Sequence, residues 1–401
     1  MMLMNEATWK YVRMHADDDV RQLALRGSKD SDVDMSTALQ QIAGLQIARR
    51  KLPSWAALDG LVYPSHLSME QCSSEATARY KAQLAASLCH AARQMVDLTG
   101  GFGVDFAFMA PIFRQAVYVE QQEELCRLAQ HNFALMGINA QVVCADGTEF
   151  LHQMAPTTLF FLDPARRDKN GTRTYGIADC TPDVLVLRDE LLTKADWVLL
   201  KLSPMLDWQK TVDDLGRQWV RQVHIVSVGG ECKELLVLLS RQGEGLRLVC
   251  ANDDDIFEVS HPLSFSSPSL FPDQYSLFAL SSPLYLFEPN ASIMKAGCFS
   301  ELSERFGIRQ IAHNSHLFIS DSSIEDFPGR KFQILTVSSM NKRDLKEKIS
   351  PLRQANIAAR NFPLSVAELR KRLRLTDGGQ HYLFATTLAN GEHVLIVCTK
   401  A

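Results

Sequence analysis

Met95-Val96-Asp97-Leu98-Thr99-Gly100-Gly101-Phe102-Gly103 is the stretch that decides the fold. An apolar run too short for a helix ends in a carboxylate, and glycines follow at once. Such a run reads as a buried strand. Glycines at its end let backbone N–H groups approach a ligand closely, where ligands of doubly wound sheets sit. Further short apolar runs stand at 116–119, 141–144, 159–162, 197–200 and 223–228, alternating with helical stretches. Between two of them, Leu125, Leu128, Ala129, Phe133 and Met136 recur at helical spacing over 122–136. Alternating β and α elements imply a parallel sheet with crossover helices. The runs 235–239 and 246–249 are separated by Gly243-Glu244-Gly245, which predicts antiparallel pairing at the sheet edge.

Upstream, residues 1–80 read as helices. Leu39, Ile42, Leu45 and Ile47 lie near helical spacing, and Pro53 ends that helix. A second helix starts at Ser73 or Ser74, where a serine can cap and Glu75 suits the first turn. Thr77 and Lys81, one turn apart on it, are expected on its surface, with a cofactor contact as the alternative. Downstream, the Ser/Pro/Asp-rich stretch 252–273 marks a boundary. Strand-like pieces at 275–287, 310–319 and 332–337 and helices at 293–306, 341–348 and 365–373 follow. A hairpin closes the chain, with Ala389-Asn390-Gly391 between 382–388 and 393–398. The expected organisation is a helical region at 1–80, an α/β domain with a Rossmann-like sheet at 81–270, a small α+β segment at 271–330 and a basic domain at 331–401.

The totals restrict the function classes. A 401-residue chain exceeds one ordinary core. With 46% hydrophobic and 22% charged residues it is a globular protein rather than a disordered one. The net charge of -4 speaks against nucleic-acid binding through total charge, though not through a local patch. The nine cysteines form no C-x-x-C pair, so zinc ribbons and redox dithiols find no support and no metal is expected. Acids where a signal peptide needs an apolar run, and no apolar segment of bilayer length, make the cytoplasm the expected location.

Four strand ends carry the chemistry. After Asp97, Thr99, Gly100, Gly101 and Gly103 comes Glu120, about twenty residues on, the spacing at which a carboxylate holds ribose hydroxyls. A dinucleotide fingerprint aligned on Gly101 and Gly103 would want a small residue at 106, where Phe106 stands. The third strand ends in Asp146, able to accept from an adenine amine. The fourth ends Leu162-Asp163-Pro164-Ala165-Arg166-Arg167, which delivers a carboxylate and a fixed backbone to the same rim. Lys201 ends the fifth strand there and reads equally well as structural. Glu120 could instead complement a helix dipole, and Arg166-Arg167 could be a solvated pair.

These motifs resemble those of class I S-adenosylmethionine-dependent methyltransferases, and of the bacterial group with a C-terminal THUMP-like domain in particular. Further segments bearing the likeness are Ser73–Lys81, Glu288-Pro289-Asn290, Met294-Lys295-Ala296-Gly297 and Phe327-Pro328-Gly329-Arg330. The resemblance implies S-adenosylmethionine as cofactor, with Gly100, Gly101 and Gly103 on its methionine moiety, Glu120 on the ribose and Asp146 facing the adenine. Asp97 and Thr99 join the same set. It implies Asp163, Pro164 and Arg166 at the reacting centre, and a ferredoxin-like character for 271–330. Amino-methylating relatives commonly follow Asp-Pro with proline and an aromatic that stacks on the base; here Ala165-Arg166 follows, and an arginine plane could stack or bind phosphate instead.

Residues 331–375 hold eleven Lys/Arg and three Asp/Glu, a local charge of 11 − 3 = +8 within a chain of -4. That is the footprint expected for a polyanion, densest at Arg370-Lys371-Arg372. The THUMP likeness implies RNA binding. The expectation is methylation of a nucleotide in structured RNA, with Arg167, Arg370, Lys371 and Arg372 on the substrate. A methyltransferase acting on a protein or small metabolite, and a non-catalytic RNA binder that senses the cofactor, remain the alternatives.

Overall fold

The computed structural model describes residues 4–88, 93–166, 176–260 and 284–401. The chain divides into two compact units: 1–228 with 233–246, and 229–232 with 247–401.

In the first unit the strands are β1 (Gln94–Asp97), β2 (Gln115–Glu120), β3 (Gln141–Cys144), β4 (Thr157–Leu162), β5 (Ala195–Leu202), β6 (Val220–Val228) and β7 (Glu231–Leu239). They lie in the order β6-β7-β5-β4-β1-β2-β3. Strands β1 to β5 are parallel, and β7 runs antiparallel beside β5. The chain builds outward from β1 to β3, then returns to place β4 on the other side of β1. The strand order thus reverses between β1 and β4, the position at which ligands of such sheets bind. β4 is buried at every residue, as a strand covered on both faces must be, which explains its unbroken Thr157–Leu162 run.

The N-terminal helices are α1 (Glu6–Met14), α2 (Val20–Arg26), α3 (Met35–Lys51), α4 (Pro53–Ala56), α5 (His66–Gln71) and α6 (Glu75–Leu88). Helix α3 stops at Lys51, and Pro53 opens α4 instead of interrupting α3. Ser74 Oγ accepts from the Thr77 backbone N at 3.3 Å, capping α6 as the sequence predicts. These helices press on the glycine loop through aromatic side chains: Trp55 meets Phe102 edge-on at 5.1 Å. A cavity of about 200 Å³ among the same helices, lined by Trp9, Gln41, Leu45 and Tyr63, holds none of the expected site residues.

Four sequence expectations fail. The helix expected at 293–306 is two, Ala291–Ala296 and Phe299–Phe306, broken at Gly297. The piece at 310–319 is strand only at its ends, Arg309–Gln310 and Phe318–Ser320. The other two bear on the first unit. The runs 235–239 and 246–249 do not pair with each other. β7 takes β5 as its antiparallel partner, while Arg247–Asn252 pairs antiparallel with Asp255–Ser260. Gly243 and Gly245 do adopt positive φ, but their turn joins strands with other partners. Thr77 and Lys81 are not on a surface; they are 2% and 0% exposed.

The second unit carries a seven-stranded sheet in the order Arg309–Gln310, Phe318–Ser320, Tyr285–Pro289, Gly329–Ser339, His393–Lys400, His381–Thr387, Asn356–Arg360. Neighbours pair antiparallel until the last two strands, which are parallel, and the helix Val366–Leu373 supplies their crossover. Glu288 is 3% exposed and accepts from Arg330 Nε at 2.7 Å and Arg360 Nη2 at 2.8 Å. Sequence-predicted structure at 275–283 lies outside the described residues. No helix among the described residues is long and apolar enough to cross a membrane.

Candidate active site

The expected residues at the tips of β1, β2 and β4 are brought together. Asp97 closes β1 and is 1% exposed. Its Oδ1 accepts from the Thr99 backbone N at 2.9 Å and from Thr99 Oγ1 at 3.3 Å. Burial pushes the Asp97 carboxyl up to about 8, and the neighbouring acids Asp105 and Asp163 add to the shift against the pull of the Thr99 N–H. From β2, Glu120 accepts from the Gly101 backbone N and the Gln122 backbone N, each at 2.8 Å. From β4, the Asp163 backbone N donates to Thr99 Oγ1 at 2.7 Å. Glu120 therefore fixes the glycine loop on one side, and Thr99 ties it to the loop after β4 on the other.

The glycines divide by role. A Cβ on Gly100 would stand 2.4 Å from the Tyr118 ring, and one on Gly103 would stand 2.8 Å from Phe133. Both are glycine because the protein's own core fills the space. Gly101 has φ +58, and a Cβ built there would meet only Thr99 O, at 3.8 Å, so it is the left-handed backbone rather than crowding that calls for glycine. Asp146 is exposed and caps the helix Gly147–Gln153, accepting from the Thr148 N at 2.8 Å and the Glu149 N at 3.2 Å. Gly147 beside it is required too, since a Cβ there would lie 2.1 Å from Leu98 O.

In the loop after β4 Pro164 is buried. Ala165–Arg166 forms a two-residue antiparallel ladder with Cys180–Thr181. Arg167 lies outside the described residues.

Sequence reasoning missed what stands behind Asp163. Lys201 Nζ lies 2.6 Å from Asp163 Oδ2 and 3.4 Å from Asp105 Oδ2. Lys81 Nζ lies 3.1 Å from Asp105 Oδ1 and pairs with Glu234 Oε2. Ser73 Oγ donates to Asp105 Oδ2 at 2.7 Å. Burial alone would drive the Lys201 ammonium toward neutrality, but the carboxylates of Asp163, Asp105 and Glu234 outweigh it and hold Lys201 well above the ordinary lysine range. Burial likewise pushes Asp105 up, and the Lys81 and Lys201 charges overcome it, leaving Asp105 below the usual carboxylate range. Three carboxylates face two ammonium groups, a net charge of −1 at the rim. The signals were present: Asp105 is an acid in the apolar run Val104–Met109, and Glu234 precedes five apolar residues of β7.

In the second unit Arg370 is half-buried and paired with Asp377 Oδ1 at 2.7 Å. Lys371, Arg372 and Arg374 are exposed at the C-terminal end of the Val366–Leu373 helix.

Comparison with known proteins agrees with this geometry. A ferredoxin-like domain model matches residues 285–328, and a THUMP domain-like model matches 329–400. Two sequences from strains of Mycobacterium tuberculosis, each named an uncharacterized S-adenosylmethionine-dependent methyltransferase, are 24% identical over 312 residues, covering 77% of this chain and 80% of theirs. The crystal structure of a protein from Porphyromonas gingivalis W83, assigned as a methyltransferase, matches at 32% identity over 100% of both chains with a TM-score of 0.85. The parallel sheet reversing at β1 and β4, the glycine loop held by Glu120 and the full-length relative converge: the chain belongs to the class I S-adenosylmethionine-dependent methyltransferases that carry a THUMP-like domain at the C-terminus.

Proposed function

We propose that this methyltransferase modifies a nucleotide of structured RNA. The observation that carries the reading is charge placement. The residues 331–375 concentrate a charge of +8, with Lys371, Arg372 and Arg374 exposed together in the THUMP domain-like segment. Cations placed this way release counterions from phosphates, which gives affinity without base specificity.

The donor site is built on Asp97, Thr99, Gly100, Gly101, Gly103, Glu120 and Asp146. Glu120 keeps lone pairs on both oxygens for ribose hydroxyls, because each oxygen accepts one backbone N–H in the structure. Asp146 at an exposed helix start is open to the adenine amine. The sulfonium of S-adenosylmethionine is an activated donor, so the chain's task is alignment, worth about 7–11 kcal/mol in favourable systems. Asp163 accepts a hydrogen bond from the acceptor and steers its lone pair. Pro164 fixes the loop backbone, and Arg166 and Arg167 contact the RNA. Arg370, Lys371 and Arg372 hold its backbone. The cytoplasm is the proposed location.

The test compares nucleoside mass spectra of total RNA from cells with and without the gene. Loss of one methylated nucleoside, restored by the wild-type chain and not by Glu120→Ala, is expected. An unchanged spectrum would overturn RNA as the substrate and leave a protein or metabolite acceptor.

A further inference from the structure

The four ionised side chains behind the acceptor position have a use that alignment alone does not require. We propose that the methyl acceptor is a hydroxyl oxygen, and that Lys201 is a further catalytic residue, stabilising that oxygen while Asp163 takes its proton. The inference deepens the RNA reading and rests on it for the identity of the acceptor, which is then the ribose 2′-hydroxyl, the one free sugar hydroxyl of an internal nucleotide.

Valence separates the two kinds of acceptor. An exocyclic base amine offers N–H donors and a delocalised lone pair, so it wants acceptors around it and gains nothing from an ammonium group. A hydroxyl offers one donor and two lone pairs, one to attack carbon and one to accept a hydrogen bond. The Asp163–Lys201 pair supplies the complement of a hydroxyl. Asp163 Oδ2 is taken by Lys201, and no group among the described residues donates to Oδ1, on a side chain that is 41% exposed. Lys201 has three N–H donors and reaches carboxylates with two, Asp163 at 2.6 Å and Asp105 at 3.4 Å; its side chain is 12% exposed.

Lysine is also held in the state this role needs. Lys81, wholly buried between Asp105 and Glu234, neutralises the acids behind Lys201 without reaching the rim. Lys81 is thus a positioning residue, and Lys201 stays cationic beside the reacting oxygen. The reaction loop adds support that is independent of charge. Ala165-Arg166 follows Asp163-Pro164, so the proline and stacking aromatic of amino-methylating relatives do not stand at these two positions. A ribose acceptor requires neither.

The hydroxyl oxygen forms a bond to the methyl carbon as the S–CH3 bond breaks. That electron pair passes to sulfur, giving neutral S-adenosylhomocysteine. The hydroxyl proton moves to Asp163 Oδ1 and then to solvent, while Lys201 keeps its own protons and offsets the charge that develops on oxygen.

The experiment supplies the full chain with S-adenosylmethionine carrying a labelled methyl group and an extract of cells lacking the gene. Labelled RNA is digested to nucleosides, and the expected result is label on the sugar fragment; label on the base fragment overturns the proposal. If label enters another class of molecule, the RNA reading falls alone. Base hydrolysis followed by hot hydriodic acid then decides this one, since methyl esters lose the label to base whereas methyl ethers survive it and release methyl iodide to the acid. No transfer to any component overturns both. On the labelled acceptor, Lys201→Met is expected to lower kcat about 10²–10³-fold with the calorimetric affinity for S-adenosylhomocysteine unchanged. Lys201→Arg, which preserves the charge should the methionine variant not fold, should retain part of the rate. Wild-type kcat in Lys201→Met, or in Lys201→Gln should the methionine variant not fold, would exclude Lys201 from the reaction.

Discussion

Two regions of this chain use positive charge in opposite ways. Behind the β1 and β4 loops, Lys81 and Lys201 are enclosed and answered by Asp105, Asp163 and Glu234. At the end of the Val366–Leu373 helix, Lys371, Arg372 and Arg374 stand in solvent, while Arg370 beside them pairs with the Asp377 carboxylate. Enclosed charges set geometry, because removing one leaves its partners stranded in low dielectric. Solvated charges set attraction at a distance, and salt screens them. The difference shows why net charge is a poor guide to this protein: a total of -4 conceals both devices.

The contrast breaks most visibly at Lys81. Lys81→Met should destabilise the fold by about 3–5 kcal/mol, because Asp105 and Glu234 lose their shared cation. Denaturant unfolding measures it, and a loss below about 1 kcal/mol would mean the pair is not enclosed. Next in size, joint Lys371→Glu and Arg372→Glu should weaken binding of structured RNA about 10–100-fold at low salt and lower the slope of log affinity against log salt. Stability should move by no more than about 0.5 kcal/mol. Filter binding across a salt series tests the affinity, and an unaltered slope would remove these residues from the RNA surface.

The smallest effect sharpens the comparison, since Asp97 is an enclosed carboxyl that pairs with no cation among the described residues. Its folded value of about 8 lies above its unfolded value, so the native chain holds a proton that the unfolded chain has released. Its contribution to stability is therefore complete at low pH and lost as pH rises through about 8. Asp97→Asn removes that titration. Relative to wild type, the variant should gain on the order of 1–2 kcal/mol between about pH 7 and about pH 9. Melting curves at the two values check the sign; a relative gain on going down in pH would contradict it.

Much of the site was legible because its signals are local. The apolar runs place β1 to β5, and the polar residue closing each run names Asp97, Glu120 and Asp163 without knowledge of neighbours. Asp146 and its helix start are local as well. Lys81 was misread because its partner Glu234 is 153 residues away, and helical spacing says only that Lys81 shares a face with Thr77. The demand for glycine at 147 has the same origin, since Leu98 O belongs to another strand end. The misplaced edge hairpin shows the reverse error. Gly243 and Gly245 make a true turn, but pairing is decided by which apolar face fits beside β5.

Thr99 belongs to the loop that would cradle the methyl donor, yet its Oγ1 receives the main-chain N–H of Asp163 on the acceptor side. Displacement of carbon between two atoms tolerates only small departures from a straight line. A single threonine makes two separate loops behave as one jig, so a donor seated on the first would, on the proposed roles, also set where the acceptor's proton goes.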